Sequence, residues 1–431
     1  MAEDPGGAVA PIQQGTWPKR YTMVGLCAFA TFVCYIDRVN ISVTIIPMAE
    51  EFGWDRGTQG LVLSSFFVGY LLTQVFGGFL ADRFGGKMVL GLGVLLWSLF
   101  TIVTPSAAYA GLTVLLLARV GMGLGEAVTF PSIYSLFSRW VPVTERTRAI
   151  GLNASGIPFG TVFALLITPV IVLTLGWSWA FYLFGAVGFL WYLLWVRLAS
   201  DTPESHASIS EHELGIIRAG TDQGVQGERP PWKKMLTSMP VWAIIVSHFC
   251  SNWGGYVLLS WLPTYIAEGL GVDFAAVGLY AMLPNLASFL FLNIAGWVTD
   301  ALIRRGHDIT RVRKLMQIVG FGSSAIVLAV VGYISSAPMA IALMTLGSAL
   351  GAFGLGGWAS NHMDIAPRHS GTLMGISNTA GTIPGIIGVY ISGLILQYTN
   401  SWILVFQVAA ALNVVGLVFY LVFGTGKKQF D

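Results

Sequence analysis

The sequence predicts an all-α membrane protein of twelve transmembrane helices arranged as two pseudo-symmetric halves of six. Three observations lead there. The chain is 55% hydrophobic and only 10% charged, with a mean hydropathy of +0.71, well outside the balance of soluble domains. Apolar runs long enough to cross hydrocarbon, about 20 residues each, recur from residue 21 to residue 424. A constant shift of 218 carries Asp55, Gly60, Gly78 and Asp82 onto Asp273, Gly278, Gly296 and Asp300 without a gap, which marks an internal repeat.

The spans read at 21–48, 58–80, 88–105, 109–136, 147–175, 178–198, 238–266, 275–298, 314–335, 338–361, 370–397 and 401–424. An even number puts both termini on one side. Of the 23 basic residues, only Arg38, Arg56 and Arg119 fall away from the segments on that side, so the positive-inside rule makes it cytoplasmic. The organisation is then a tail (1–20), a first half (21–198), a linker (199–237), a second half (238–424) and a short tail (425–431). Residues 1–18 lack an apolar h-region and read as neither signal nor transit peptide, leaving the first span as the insertion signal. In the linker, Ser210 and Glu213 have capping-box spacing ahead of Leu214, Ile216 and Ile217, which predicts a short helix along the membrane surface. A second echo between the halves sets Asn153, Gly156 and Pro158 beside Asn378, Gly381 and Pro384. Glycine and proline there permit bends in cavity-lining helices. Cys27, Cys34 and Cys250 lie in apolar runs without metal-ligand spacing and read as small buried hydrophobes.

Four ionisable residues interrupt this apolar background. Arg119 and Glu126 lie in the fourth span, seven residues apart and therefore on one helical face, about 10 Å apart along the axis. Asp37 and Arg38 interrupt the first. A structural ion pair with glycine-assisted packing by Gly121, Gly123 and Gly125 explains either pair alone. Two such pairs favour a substrate or ion pathway, the usual meaning of charge at membrane depth. Other polar groups speak more weakly. His248 in the seventh span reads as a hydrogen-bonded core residue, with a proton relay as the alternative. His362 and Asp364 read as a structural cluster near Arg368, and Asn252, Trp253 and Tyr256 flank a WGG step expected to open the seventh helix to a ligand.

The loop after the second span, GGFLADRFGGK, places Asp82, Arg83 and Lys87 at a membrane mouth, with Gly85 and Gly86 for a tight turn. Asp82 there is suited to cap a neighbouring helix N-terminus. This motif resembles the signature of the major facilitator superfamily, with Asp300 in the degenerate second copy, and the resemblance implies the superfamily fold and a gating role for Asp82, Arg83, Lys87 and Asp300. The stretches RVGMGLGEAVTFPS, RWVPVTERTRAIG, SDTPESHASIS, SWLPTY and NHMDIAPRHSGTLMGISNTAG resemble the anion:cation symporter family over almost the whole chain, with PWKKMLTSMPVWAIIV nearest its plant phosphate branch. That resemblance implies that Arg38 and Arg119 hold the substrate anion, that Asp37 and Glu126 take up protons, and that Tyr70, Trp358 and Asn378 line the rest of the site. Leu63 and Ser251 stand where vesicular glutamate transporters carry histidine and arginine, which speaks against glutamate.

No HExxH, GxSxG or paired-cysteine motif supports an enzyme, and an anion channel would call for a selectivity ring of symmetric subunits. The expected function is secondary active transport of a small anion, an organic acid or phosphate, by alternating access. The expected coupling ion is H+, with Na+ the rival, and no cofactor or metal is expected. The expected partners are the anion and the lipid bilayer, without nucleic acid, and a single chain is the expected working unit. Asp82→Asn is expected to slow the exchange of states more than it weakens substrate affinity; a changed substrate preference at unchanged turnover would remove Asp82 from the gate.

Overall fold

The computed structural model describes residues 17–220 and 231–430, without the side chains of Val75, Asp82, Val143, Thr147 and Arg368. The tail up to residue 16, Arg229 in the linker and the side chain of the gate candidate Asp82 lie outside the described residues. Among the described residues there is no strand, and twelve long helices account for the fold. They are α1 (Lys19–Phe52), α2 (Arg56–Phe84), α3 (Gly86–Ala110), α4 (Leu112–Trp140), α5 (Val143–Leu175) and α6 (Trp177–Leu198) before the linker. After it come α7 (Met239–Thr264), α8 (Phe274–Arg304), α9 (Ile309–Val331), α10 (Ala337–Ile365), α11 (Ser370–Thr399) and α12 (Trp402–Phe423).

The repeat seen in the sequence is a repeat of structural tasks. Asp55 caps α2 by accepting from the Thr58 N–H at 2.8 Å, and Asp273 caps α8 by accepting from the Ala275 N–H at the same distance. Gly60 brings α2 onto Gly393 of α11, and Gly278 brings α8 onto Leu165 of α5; a Cβ would lie 3.2 Å from the Gly393 Cα in the first case and 2.0 Å from the Leu165 carbonyl in the second. These two glycine contacts join the halves. The second echo behaves likewise, since Gly156 lets α5 approach Ala28 and Phe32 of α1 while Gly381 lets α11 approach His248 and Asn252 of α7.

Two local expectations are corrected, the opening of the seventh helix and the role of the Glu213 carboxylate. The seventh helix runs unbroken through the WGG step over Met239–Thr264, where Trp253 packs on Gly388 and the Asn252 amide donates to the Gly381 carbonyl at 2.8 Å. Interruptions lie elsewhere: α4 turns at Ala127–Val128 between Leu112–Glu126 and Thr129–Trp140, and α10 turns at Ala352 and Ser360. The linker does form a helix, Glu211–Gly220, with the Glu213 N–H on the Ser210 hydroxyl at 3.2 Å. The Glu213 carboxylate, however, leaves its own helix to accept the Lys19 and Arg20 N–H groups, both at 3.0 Å, and so caps α1. Arg20 also donates to Glu145 at the start of α5 at 2.9 Å, binding linker, α1 and α5 together.

At the end of the bundle away from the linker, the halves are shut. Arg56 of α2 forms an ion pair with Glu268 after α7, and Gln397 of α11 donates to Asp55 at 3.0 Å. Gly278→Ala is expected to destabilise the protein by about 1–3 kcal/mol, because its methyl group meets backbone that cannot yield, whereas Gly296→Ala on the same helix has open space and is expected to leave the melting temperature unchanged or slightly raised. Equal melting temperatures for the two variants would refute the close-approach role.

Candidate functional site

A cavity of about 860 Å³ opens toward the linker side, between the two halves. Its walls come from Tyr70 and Gln74 of α2, Phe130 and Tyr134 of α4, Tyr256 of α7, and Asn378 and Thr379 of α11; Tyr35 and Arg38 of α1 stand at its inner end. Trp232, in the short helix Trp232–Thr237 of the linker, lies at the mouth. Gln74 accepts from the Thr382 hydroxyl at 2.9 Å, a hydrogen bond that crosses from one half to the other.

Arg38 and Glu126 meet across α1 and α4. The guanidinium donates from Nη2 at 2.8 Å and from Nε at 3.0 Å, both to Oε2 of Glu126, and the Cys34 thiol donates to the same oxygen at 3.2 Å. Oε1 of Glu126 is buried with no hydrogen-bond partner among the described residues. The Arg38 guanidinium also lies against the rings of Tyr35, Tyr70 and Phe66, at 4.8, 4.9 and 5.0 Å from their centroids. Such contacts contribute about 0.5–1 kcal/mol each, and more when desolvated. A buried ion pair is a poor source of stability unless further contacts satisfy its members; here the Cys34 thiol on Glu126 and the aromatic box around Arg38 supply them.

The spacing of Arg119 and Glu126 suggested a facing pair, and the structure separates them. Arg119 is buried, with Nη1 3.0 Å from the Met122 sulfur and its Nε unpartnered among the described residues. It leans on the Phe66 ring at 5.6 Å, so one phenyl ring serves both arginines. It does not line the large cavity; it borders a small closed void with Arg38, Leu63 and Ser260, toward the sealed end. Asp37 is buried with both carboxylate oxygens unpartnered among the described residues; the Trp97 indole lies close by, short of hydrogen-bond geometry. The side-chain amide of Asn40, one turn further along α1, is likewise unpartnered among the described residues.

Of the remaining candidates, Tyr70 and Asn378 line the cavity with Arg38, while Trp358 does not. It packs one layer behind, against His248 at a centroid distance of 4.3 Å, within a short π-helical stretch, Leu355–Ala359. Arg83 and Asp300 are exposed, and the Arg83 guanidinium lies against Phe79 and Phe84. The N-terminus of α3 is capped by Asp201 of the linker, which accepts from the Lys87 N–H at 3.1 Å and pairs with Arg139; the side chain of Asp82 lies outside the described residues. Gly85, at φ +87°, makes the turn, and a Cβ there would collide with the Asp201 carboxylate. Asp364 pairs with Arg313 of α9 at 2.7 Å; the side chain of Arg368, the other expected neighbour, lies outside the description.

Phe66, Gln74, Tyr35 and Asp201 were missed as site residues. Tyr35 stands one turn before Arg38 and was recoverable from helical spacing; nothing local distinguishes Phe66 among 26 phenylalanines. Phe66→Leu keeps apolar bulk but removes the π-face, and is expected to weaken anion affinity about five- to thirtyfold, read as a rise in KM with the fold intact. An unchanged KM would remove Phe66 from the site.

Comparison with known proteins adds the following. The Major Facilitator Superfamily pattern matches residues 27–389. A probable chloroplastic anion transporter 4 of Oryza sativa subsp. japonica is 46% identical over 96% of this chain and 70% of its own. A chloroplastic ascorbate transporter of Arabidopsis thaliana is 44% identical over 96% of this chain and 76% of its own. A chloroplastic sodium-dependent phosphate transport protein 1 from the same plant is 42% identical over all of this chain and 84% of its own. Among solved structures, a bacterial homologue of the human lysosomal transporter Spinster, inward-facing and occupied, superposes with a TM-score of 0.76 at 18% identity, covering 95% of this chain and 97% of that one.

Proposed function

The chain belongs to the Major Facilitator Superfamily and is an integral membrane transporter, and from that premise we propose that it carries a small organic anion by proton-coupled symport, binding it at Arg38 with Arg119 behind. The observation that carries this reading is the occupation of the Arg38 guanidinium by Glu126 at the inner end of the cavity. An arriving carboxylate or phosphate competes for that same fork, since either accepts paired donors from guanidinium. Glu126, displaced into a buried site, is then an uncompensated charge, which a proton neutralises. Substrate and proton therefore enter together, and by reciprocity a lower pH tightens anion binding. The tyrosines, Gln74 and Asn378 supply hydroxyl and amide groups suited to a hydroxylated organic anion, and the relative named as an ascorbate transporter fits that class.

In this reading the anion-bound chain closes its linker side and opens the seal formed by Arg56, Glu268, Asp55 and Gln397. Arg83, Lys87 and Asp300 with Asp82 hold the linker side in that second state, and both termini face the cytoplasm. One chain suffices, because each half supplies one wall of the cavity.

Sodium coupling is the second reading. Two observations favour it: one relative is named for sodium-dependent phosphate transport, and Asp37 and Asn40 offer buried oxygens, unpartnered among the described residues and one helical turn apart, the hard ligands such a cation takes. Proteoliposomes given pH and sodium gradients separately decide between them. Wild type is expected to concentrate ascorbate with the pH gradient alone, while Glu126→Gln still exchanges the anion across the membrane but no longer accumulates it. Accumulation that follows sodium alone, or a Glu126→Gln protein that still concentrates the anion, would sink the proton mechanism.

A further inference from the structure

Behind the α11 wall of the cavity, three buried side chains from three helices form a hydrogen-bonded chain. His248 of α7 places Nδ1 3.2 Å from the Ser377 hydroxyl oxygen of α11, and that oxygen lies 2.8 Å from Nε2 of His362 of α10. The other end is fixed by the Ala359 carbonyl, 2.7 Å from His362 Nδ1. Ile376 and Asn378, on either side of Ser377, line the cavity.

Donor and acceptor rules give this chain a direction. A carbonyl only accepts, so Nδ1 of His362 carries a proton; with the ring neutral, Nε2 is an acceptor. The Ser377 hydroxyl must then donate to it, and its oxygen accepts from His248 Nδ1–H. His248 Nε2 remains the open acceptor, with no hydrogen bond to any described residue. A Cβ at Gly381 would lie 2.9 Å from that atom, so glycine leaves the space beside it free of a side chain. The Met374 carbonyl, 3.1 Å from the Ser377 oxygen, is an alternative acceptor for the hydroxyl hydrogen once His362 Nε2 is itself protonated.

We propose that His248, Ser377 and His362 form a proton wire in the second half of the transporter, holding one proton and passing it between the cavity wall and the linker-side end of α10. A proton binds His248 Nε2. The His248 Nδ1–H bond breaks as that proton moves to the Ser377 oxygen, and the serine O–H bond breaks as its proton moves to His362 Nε2. His248 is left neutral in its other tautomer, His362 becomes the imidazolium, and the reverse sequence releases the proton. The Trp358 ring, tilted against His248 at a centroid distance of 4.3 Å, places aromatic π-density beside the charged state. The titratable and charged groups on the surrounding elements are Cys250 and Tyr256 on α7, Arg313 on α9 with its partner Asp364 on α10, His369 before α11, and Tyr420 on α12. No described carboxylate hydrogen-bonds either imidazole, and each imidazolium repels the other, so the chain takes one proton and not two. The wire occupies α7, α10 and α11, the counterparts of α1, α4 and α5, and α1 and α4 carry the arginines and acids in the first half. Its coupling role rests on the proton-symport reading given above.

The test uses full-length protein labelled with 15N-histidine, which gives signals from only 6 side chains, titrated in lipid nanodiscs between about pH 5 and 8, the range in which imidazole ordinarily changes charge. His248→Gln and His362→Gln assign the signals. The wild type is expected to show both rings in the Nδ1–H tautomer at high pH and a single transition shared by the two. Ser377→Ala is expected to split it into two separate transitions, displaced by at least one pH unit, while Ser377→Thr, which keeps the hydroxyl, restores the shared one. Independent transitions in the wild type, no transition in either ring, or a Ser377→Ala titration identical to wild type would each overturn the wire. In proteoliposomes, Ser377→Ala is expected to lower accumulation of ascorbate driven by a pH gradient at least fivefold while leaving counterflow exchange within twofold. If wild-type accumulation instead follows sodium alone, the symport reading fails while the titration still decides the wire.

Discussion

A guanidinium inside a bilayer must find a partner, and the meeting of Arg38 with Glu126 meets that requirement in a way that constrains everything around it. The carboxylate comes from α4, so α1 and α4 are held at side-chain distance, and Phe66 of α2 is drawn in as the ring on which both arginines lie. The turn at Ala127–Val128 follows directly after Glu126, so the acid sits where the helix is least regular. Because the pair closes the inner end of the cavity, the same contact sets both the shape of the binding space and the charge that an anion must displace.

The two halves share a frame and divide the chemistry. Asp55 and Asp273 cap equivalent helices, and Gly60 and Gly278 bring equivalent helices into contact across the interface. Onto that frame the first half sets two arginines and two acids, whereas the second sets imidazoles, a hydroxyl and an indole. A pseudo-two-fold frame lets the halves rock about their glycine contacts, and unlike linings let the two sides of the site do different work on one substrate.

Much of this was legible in the sequence, and the boundary has a physical reason. Repeats, span order and the four intramembrane charges follow from hydropathy and spacing, which are local properties of the chain. Partner choice is not local. Seven-residue spacing placed Arg119 and Glu126 on one helical face, yet Glu126 is claimed by Arg38, because an arginine from another helix can approach end-on where a helical neighbour must fold back. Asp201 caps α3 from the linker for a similar reason: a loop residue is free to meet the helix axis. The WGG step stays helical because Trp253 and Asn252 find partners on α11 that hold the turn together. Trp358, expected at the cavity wall, is claimed by its packing against His248.

The cap on α1 bears on how the chain is made. The first turn of α1 has its free N–H groups satisfied by Glu213, a residue that leaves the ribosome only after all six helices of the first half. Until then the start of α1 is an open helix end, and among the described residues Arg20 is held by Glu145 and its neighbour Tyr21. The first half is therefore not finished when its sixth helix is inserted. Its closing stitch is delivered by the linker, so the natural unit of biogenesis extends beyond α6 into the helix that contains Glu213.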